Sequence, residues 1–116
     1  MVDESVASKV RIYLETLQAA GIPVRFGVVF GSQATGRANR WSDIDLVVVS
    51  PRFDLGAGRA VVAELWRLAA RVDSRIEPIP CGERRWSEDD SSPVLEMARR
   101  EGQTLFPAAQ PPAKSA

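Results

Sequence analysis

The chain has 116 residues with fifteen basic and fifteen acidic side chains, so no net field draws it to nucleic acid. Its 45 % hydrophobic and 26 % charged content suits a single globular domain with one modest core, and no run approaches the roughly 18 apolar residues of a membrane span. With no histidine, Ser-His and Cys-His catalysis and His-based zinc sites are excluded, which leaves oxygen ligands and hard cations such as Mg2+ or Mn2+. A lone cysteine, Cys81, excludes an internal disulfide and fits a reducing cytoplasm. The start, MVDESVASKV, is acidic and polar, unlike a secretory signal or transit peptide. Thirteen arginines stand against two lysines, a bias that suits bidentate phosphate contacts but that a GC-rich coding sequence produces as readily.

Taken in order, Ser5 to Ala20 predicts a helix, because Val6, Val10, Tyr13, Leu14 and Leu17 share one face of a 3.6-residue period. Gly21 and Pro23 stop it. Val24 to Phe30 predicts a strand, apolar enough at its end to be central and buried on both faces. Gly31-Ser32 ends that strand, Gln33 to Thr35 begins a short helix, and Gly36 breaks it. Arg37 to Ser42 is a polar loop, and Ile44 to Val49 is a second strand closed by Ser50-Pro51. A loop from Arg52 to Gly58 leads to a helix from Arg59 to Val72, with Val61, Leu65, Leu68, Ala69 and Val72 on one face. Ser74 to Pro80 predicts a third strand, which its two prolines either place at an edge or end early. Cys81 to Asp90 reads as a charged loop. Ser92-Pro93 has the form of an N-cap followed by proline at the first helical position, and the last helix runs to Glu101 with Gly102 as a left-handed cap. Phe106 is expected to be the last packed residue, which gives a domain over 1–106 and a disordered tail over 107–116. The expected order is α-β-α-β-α-β-α.

Two devices in the middle of the chain carry chemistry. The first is Gly31-Ser32, directly after the apolar run Val28-Val29-Phe30. Gly31 has no Cβ and lets the backbone approach a ligand, while Ser32 offers a hydroxyl and an N–H to a phosphate oxygen. The second is Asp43-Ile44-Asp45, with ten residues lying between Ser32 and Asp43. Side chains two apart on a strand share a face, so these carboxylates are forced together, and a divalent cation gives the repelling pair a purpose. Glu77, on a neighbouring strand, is available as a third ligand. Each device alone is commonplace: Gly-Ser is usually a plain turn and Asp-x-Asp often a solvated loop edge. Their joint occurrence is far more specific. Arg37 and Arg40 are either phosphate contacts or solvated loop residues, and Trp41 either stacks on a base or is simply an exposed loop residue.

Strand, Gly31-Ser32, a ten-residue spacer, Asp43-Ile44-Asp45 and a further strand resemble the signature of the DNA polymerase β-like nucleotidyltransferases. At this length the chain resembles their minimal members, the MNT domains paired with HEPN-domain proteins in toxin–antitoxin modules. The resemblance covers about residues 5 to 106, including the ending Ala98-Arg99-Arg100-Glu101-Gly102. It implies an α+β fold with a small mixed sheet flanked by helices. It also implies a triphosphate on Gly31 and Ser32, Mg2+ on Asp43, Asp45 and Glu77, and transfer of AMP from ATP to a hydroxyl, with Glu77 helping to activate that hydroxyl. The implied acceptor is a tyrosine of a HEPN toxin. Contact-only neutralisation by an idle fold and aminoglycoside-type transfer are the alternatives. The chain departs from the pattern in having Glu77 where aspartate is usual, and no arginine at Gln33 or Thr35. Neither nucleic acid nor a membrane is an expected partner.

Overall fold

The computed structural model describes residues 1–107. Helix α1 (Glu4–Ala19) starts one residue earlier than its apolar face suggests, because the Asp3 side chain accepts from the Ser5 N–H and caps it. Strand β1 (Phe26–Phe30) is followed by the one-turn helix α2 (Ser32–Thr35), and β2 (Ile44–Ser50) by a 3-10 turn over Pro51–Phe53. Helix α3 (Gly58–Val72), strand β3 (Ile76–Gly82), helices α4 (Glu83–Glu88) and α5 (Pro93–Glu101) and strand β4 (Gln103–Leu105) complete the chain. Among the described residues no helix is long and apolar enough to cross a membrane.

The strands form one mixed sheet in the order β3-β2-β1-β4, as the expected α+β class requires. β1 runs antiparallel to β2 and β4, while β2 and β3 are parallel and joined through α3. β1 and β2 are central, and their alternating side chains feed two cores. Val29, Ile44, Leu46, Val48 and Ile76 pack with α1 and α3 on one face. Val28, Phe30, Val47, Val49 and Cys81 pack with Leu95 and Ala98 of α5 on the other. The buried Tyr13 hydroxyl ties the first layer together by donating to the Leu65 carbonyl at 2.9 Å. β3 lies at the sheet edge, as its prolines allow. Arg75 accepts from Ile44 N, so the odd-numbered residues of this strand bond towards β2. Pro78 and Pro80 therefore turn their missing N–H groups to the open side.

The last quarter departs from the sequence reading. Cys81 to Asp90 is not a loop: β3 continues to Gly82 and α4 follows at once. That helix fully buries no side chain, so it has no apolar period to read. It is held by half-buried Trp86, which packs on the second core and edge-on to Phe26, by Arg85 on Asp89 at 3.0 Å and by the Arg99 guanidinium, which donates to the Trp86 carbonyl at 2.7 Å. β4 was not expected either, since three residues are too few for alternation to show. Gly102 is extended, at φ −82° and ψ 165°, rather than left-handed, and the chain passes straight from α5 into β4. Glycine is required there for space: a Cβ would run into the Ala98 carbonyl oxygen and lie 2.5 Å from Val28 Cγ1. Phe106 is 57 % exposed and meets Phe26 edge-on, while Leu105 and Pro107 are the buried residues at this end. The expected tail lies, from residue 108 on, outside the described residues.

Gly102→Ala is expected to destabilise the protein by about 1–3 kcal/mol, because the added methyl meets backbone on one side and a core valine on the other. Urea unfolding that leaves the midpoint unchanged would contradict this packing.

Candidate active site

The strand register builds the site. Phe30 of β1 pairs with Asp45 of β2, and Asp45 pairs with Glu77 of β3, so both carboxylates stand in one row. On β2, Asp45 shares parity with Val47 and Val49, and on β3, Glu77 shares parity with Cys81. The two acids therefore lie on the α5 face of the sheet, in the same row as Phe30 of the apolar cluster. Asp45 and Glu77 are half-buried. Asp43 precedes the strand and is exposed, yet it is near enough to both of the others to disturb them.

Electrostatics register this crowding. Burial holds the Asp45 carboxyl above its ordinary range, and the Asp43 charge adds to the effect. Burial comes first in raising Glu77 as well, and the neighbouring carboxylates of Asp43 and Asp45 push it up further. The three predicted acids are thus brought together. They form an open row rather than a closed cage: among the described residues no three acid, thiol or imidazole groups enclose a point where a metal ion could sit.

Gly31 stands against this row. Its φ of +75° is left-handed, and a Cβ there would lie 2.5 Å from Asp45 Oδ2, so any side chain would displace the carboxylate. Ser32 opens α2 at the edge of a cleft of about 370 Å³ lined by Gly31, Ser32, Thr35, Arg37, Met97 and Glu101. The turn and the acids are therefore neighbours, as the spacing predicts. The contribution of α5 through Met97 and Glu101 was not legible, because nothing in the sequence says which helix closes the sheet end. Trp41 is 74 % exposed, and the Arg40 guanidinium lies 4.4 Å from its ring centre. Gln33, which sequence reading passes over, is buried and donates from Nε2 to the carbonyls of Ser42 at 3.2 Å and Asp43 at 3.4 Å.

The profile of the nucleotidyltransferase domain family matches residues 9–79, more than half of the chain and the whole of the row described above. Two solved structures share the fold at a TM-score of 0.59, each aligned over 90 % of this chain and 75 % of the other. One, at 24 % identity, is a toxin-antitoxin crystallised with AMP-PNP. The other, at 21 % identity, is a mutant of the toxin-antitoxin MntA-HpeT in which two aspartates two positions apart are exchanged for glutamate. No curated protein matches the chain.

The raised carboxyls make a signed prediction. A group that holds its proton more tightly when folded loses stability as pH rises through its folded value. Between the ordinary carboxylate range and neutrality, Asp45 and Glu77 therefore weaken the metal-free fold. Asp45→Asn and Glu77→Gln are expected to raise the metal-free melting temperature at pH 7 by a few degrees, with the gain fading towards pH 4. Asp89, held down to about 2 chiefly by the Ser91 N–H and Arg85, works in the opposite sense and supports the fold until the pH falls below the ordinary range. Variants less stable than the parent at pH 7 would remove the claim of enforced repulsion.

Proposed function

The chain belongs to the nucleotidyltransferase domain family, and on that premise we propose that it transfers AMP from ATP to a tyrosine hydroxyl of a HEPN-domain toxin and so acts as its antitoxin. The observation that carries this reading is the row of Asp45 and Glu77, with the Gly31-Ser32 turn beside it and Asp43 against it. The toxin–antitoxin assemblies that share the fold, one crystallised with AMP-PNP, support the choice of nucleotide and partner.

The donor set fits a divalent cation. It is oxygen only, it gathers like charge in one place, and its open form suits Mg2+, which keeps waters and takes further ligands from substrate phosphates. Asp43, Asp45 and Glu77 would hold it, and when bound it supplies charge neutralisation for the phosphates and the leaving pyrophosphate. The chain's own residues do the rest. The Ser32 hydroxyl donates to a triphosphate oxygen, and the bare Cα of Gly31 lets that tail lie close to the acids. Glu77 accepts the proton released by the tyrosine hydroxyl. The hydroxyl oxygen bonds to the α-phosphorus in line with the departing bridge oxygen, the α–β phosphoanhydride bond breaks, and pyrophosphate leaves. Catalysis is then chiefly positioning and electrostatics.

Purified protein, Mg2+, α-labelled ATP and the toxin should give a toxin carrying label on tyrosine, and chelation of the metal should abolish it. Asp43→Asn and Asp45→Asn should each lower the rate at least about a hundredfold while folding normally. Neutralised but unlabelled toxin, in the presence of folded parent protein, would assign the chain to contact-only inhibition instead.

A further inference from the structure

Asp43 and Asp45 are held by different means. Asp45 lies inside β2, between two strands, and its main chain is fixed by the ladders. Asp43 stands outside the strand, exposed, at the end of the polar loop. That loop ties itself together without reaching Asp43: Asn39 Oδ1 accepts from Trp41 N at 2.9 Å, Ser42 Oγ accepts from Asn39 N at 2.9 Å, and Arg75 Nη1 donates to the Arg40 carbonyl at 3.3 Å. Among the described residues, Gln33 is the one side chain that bonds the Asp43 main chain. The peptide joining Asp43 to Ile44 is consequently held at both ends. Its carbonyl accepts from Gln33, and its N–H donates to the Arg75 carbonyl at 2.8 Å.

Gln33 is only 5 % exposed, and both of its partners are acceptors, so its NH2 group must face them. It also follows Ser32 directly on the same single helical turn. Ser32 opens to the cleft while Gln33 reaches inward to the loop end. We propose that Gln33 is a positioning residue: its buried carboxamide sets the Asp43 main chain relative to the Ser32 turn, and so fixes the separation between the phosphate-holding and carboxylate-holding halves of the site. Its catalytic consequence rests on the nucleotidyl-transfer reading given above, whereas its geometric consequence does not.

Gln33→Met keeps nearly the same volume and removes both donors. Amides of 42–45 should then exchange with solvent at least about tenfold faster, while those of Leu65 and Leu68 in α3 keep their parental rates. In the labelling reaction kcat should fall roughly tenfold to a hundredfold with KM for ATP little changed, since misplacement is felt at the reacting atoms. Gln33→Lys restores N–H donors, and the cleft of about 350 Å³ that Gln33 lines has room for the longer chain, so it should recover both readouts. Gln33→Glu, of the same shape and without N–H groups, is the second variant should the methionine form not fold, and it should behave as that form does. Unchanged exchange at 42–45, or exchange accelerated equally in α3, overturns the proposal, as does a parental kcat in a donor-free variant. A parent protein that labels nothing sinks the functional reading, and the exchange measurement still decides the placement of Asp43.

Discussion

Phe30, Asp45 and Glu77 occupy one line across three strands, and the rest of the site follows from that register. β1 and β2 bury residues on both faces, so each has two apolar sets to place rather than one. A slip of one residue in β2 would exchange Ile44, Leu46 and Val48 for Asp45, Val47 and Val49. The Asp45 carboxylate would then enter the α1–α3 core, where Leu46 and Val48 are fully buried. Burying an unpaired charge there costs several kcal/mol, more than any single contact in the sheet contributes. The hydrophobic pattern thus dictates where the acids stand, and it does so without help from the acids themselves.

That division of labour explains how the chain tolerates crowded carboxylates. Two acids elsewhere are matched: Asp73 accepts from Arg75 and Asp89 from Arg85 and Ser91, and each is held below the usual range. Among the described residues Asp45 and Glu77 have no basic partner, and both are pushed upward. Loop arginines were available in the sequence, but Arg40 lies over Trp41 and Arg75 is taken by Asp73. The repulsion is therefore left standing at one end of a rigid sheet. That end of the sheet thus gathers like charge on a rigid frame.

Much of this was legible because it is written in period and spacing. The faces of α1 and α3, the central β1 and β2, the edge position of β3 and the turn at Gly31 all carry a repeating apolar pattern or a breaker residue. The pairing of Glu77 with Asp45 was legible only as a possibility, since parallel register depends on how α3 returns the chain. α4 escaped because it fully buries no side chain, and β4 because it is too short to alternate. Gly102 misled for a physical reason: glycine after a helix usually marks a left-handed cap, and here it answers a close approach to Val28 and Ala98. Gln33 was read only as a helix start and as a position lacking the arginine of the family pattern. A glutamine in a one-turn helix has no signature, and its meaning lies in two carbonyls nine and ten residues further on.

The two halves of the site are also built from different parts of the chain. The turn and the acids lie within the stretch that matches the family profile, whereas Met97 and Glu101 come from α5 beyond it. α5 is anchored independently, by Leu95 and Ala98 in the second core and by the tight passage at Gly102. Its outward residues can therefore change without disturbing the register of Asp45 and Glu77. The sheet fixes the carboxylate row, and α5 shapes the wall of the cleft beside it.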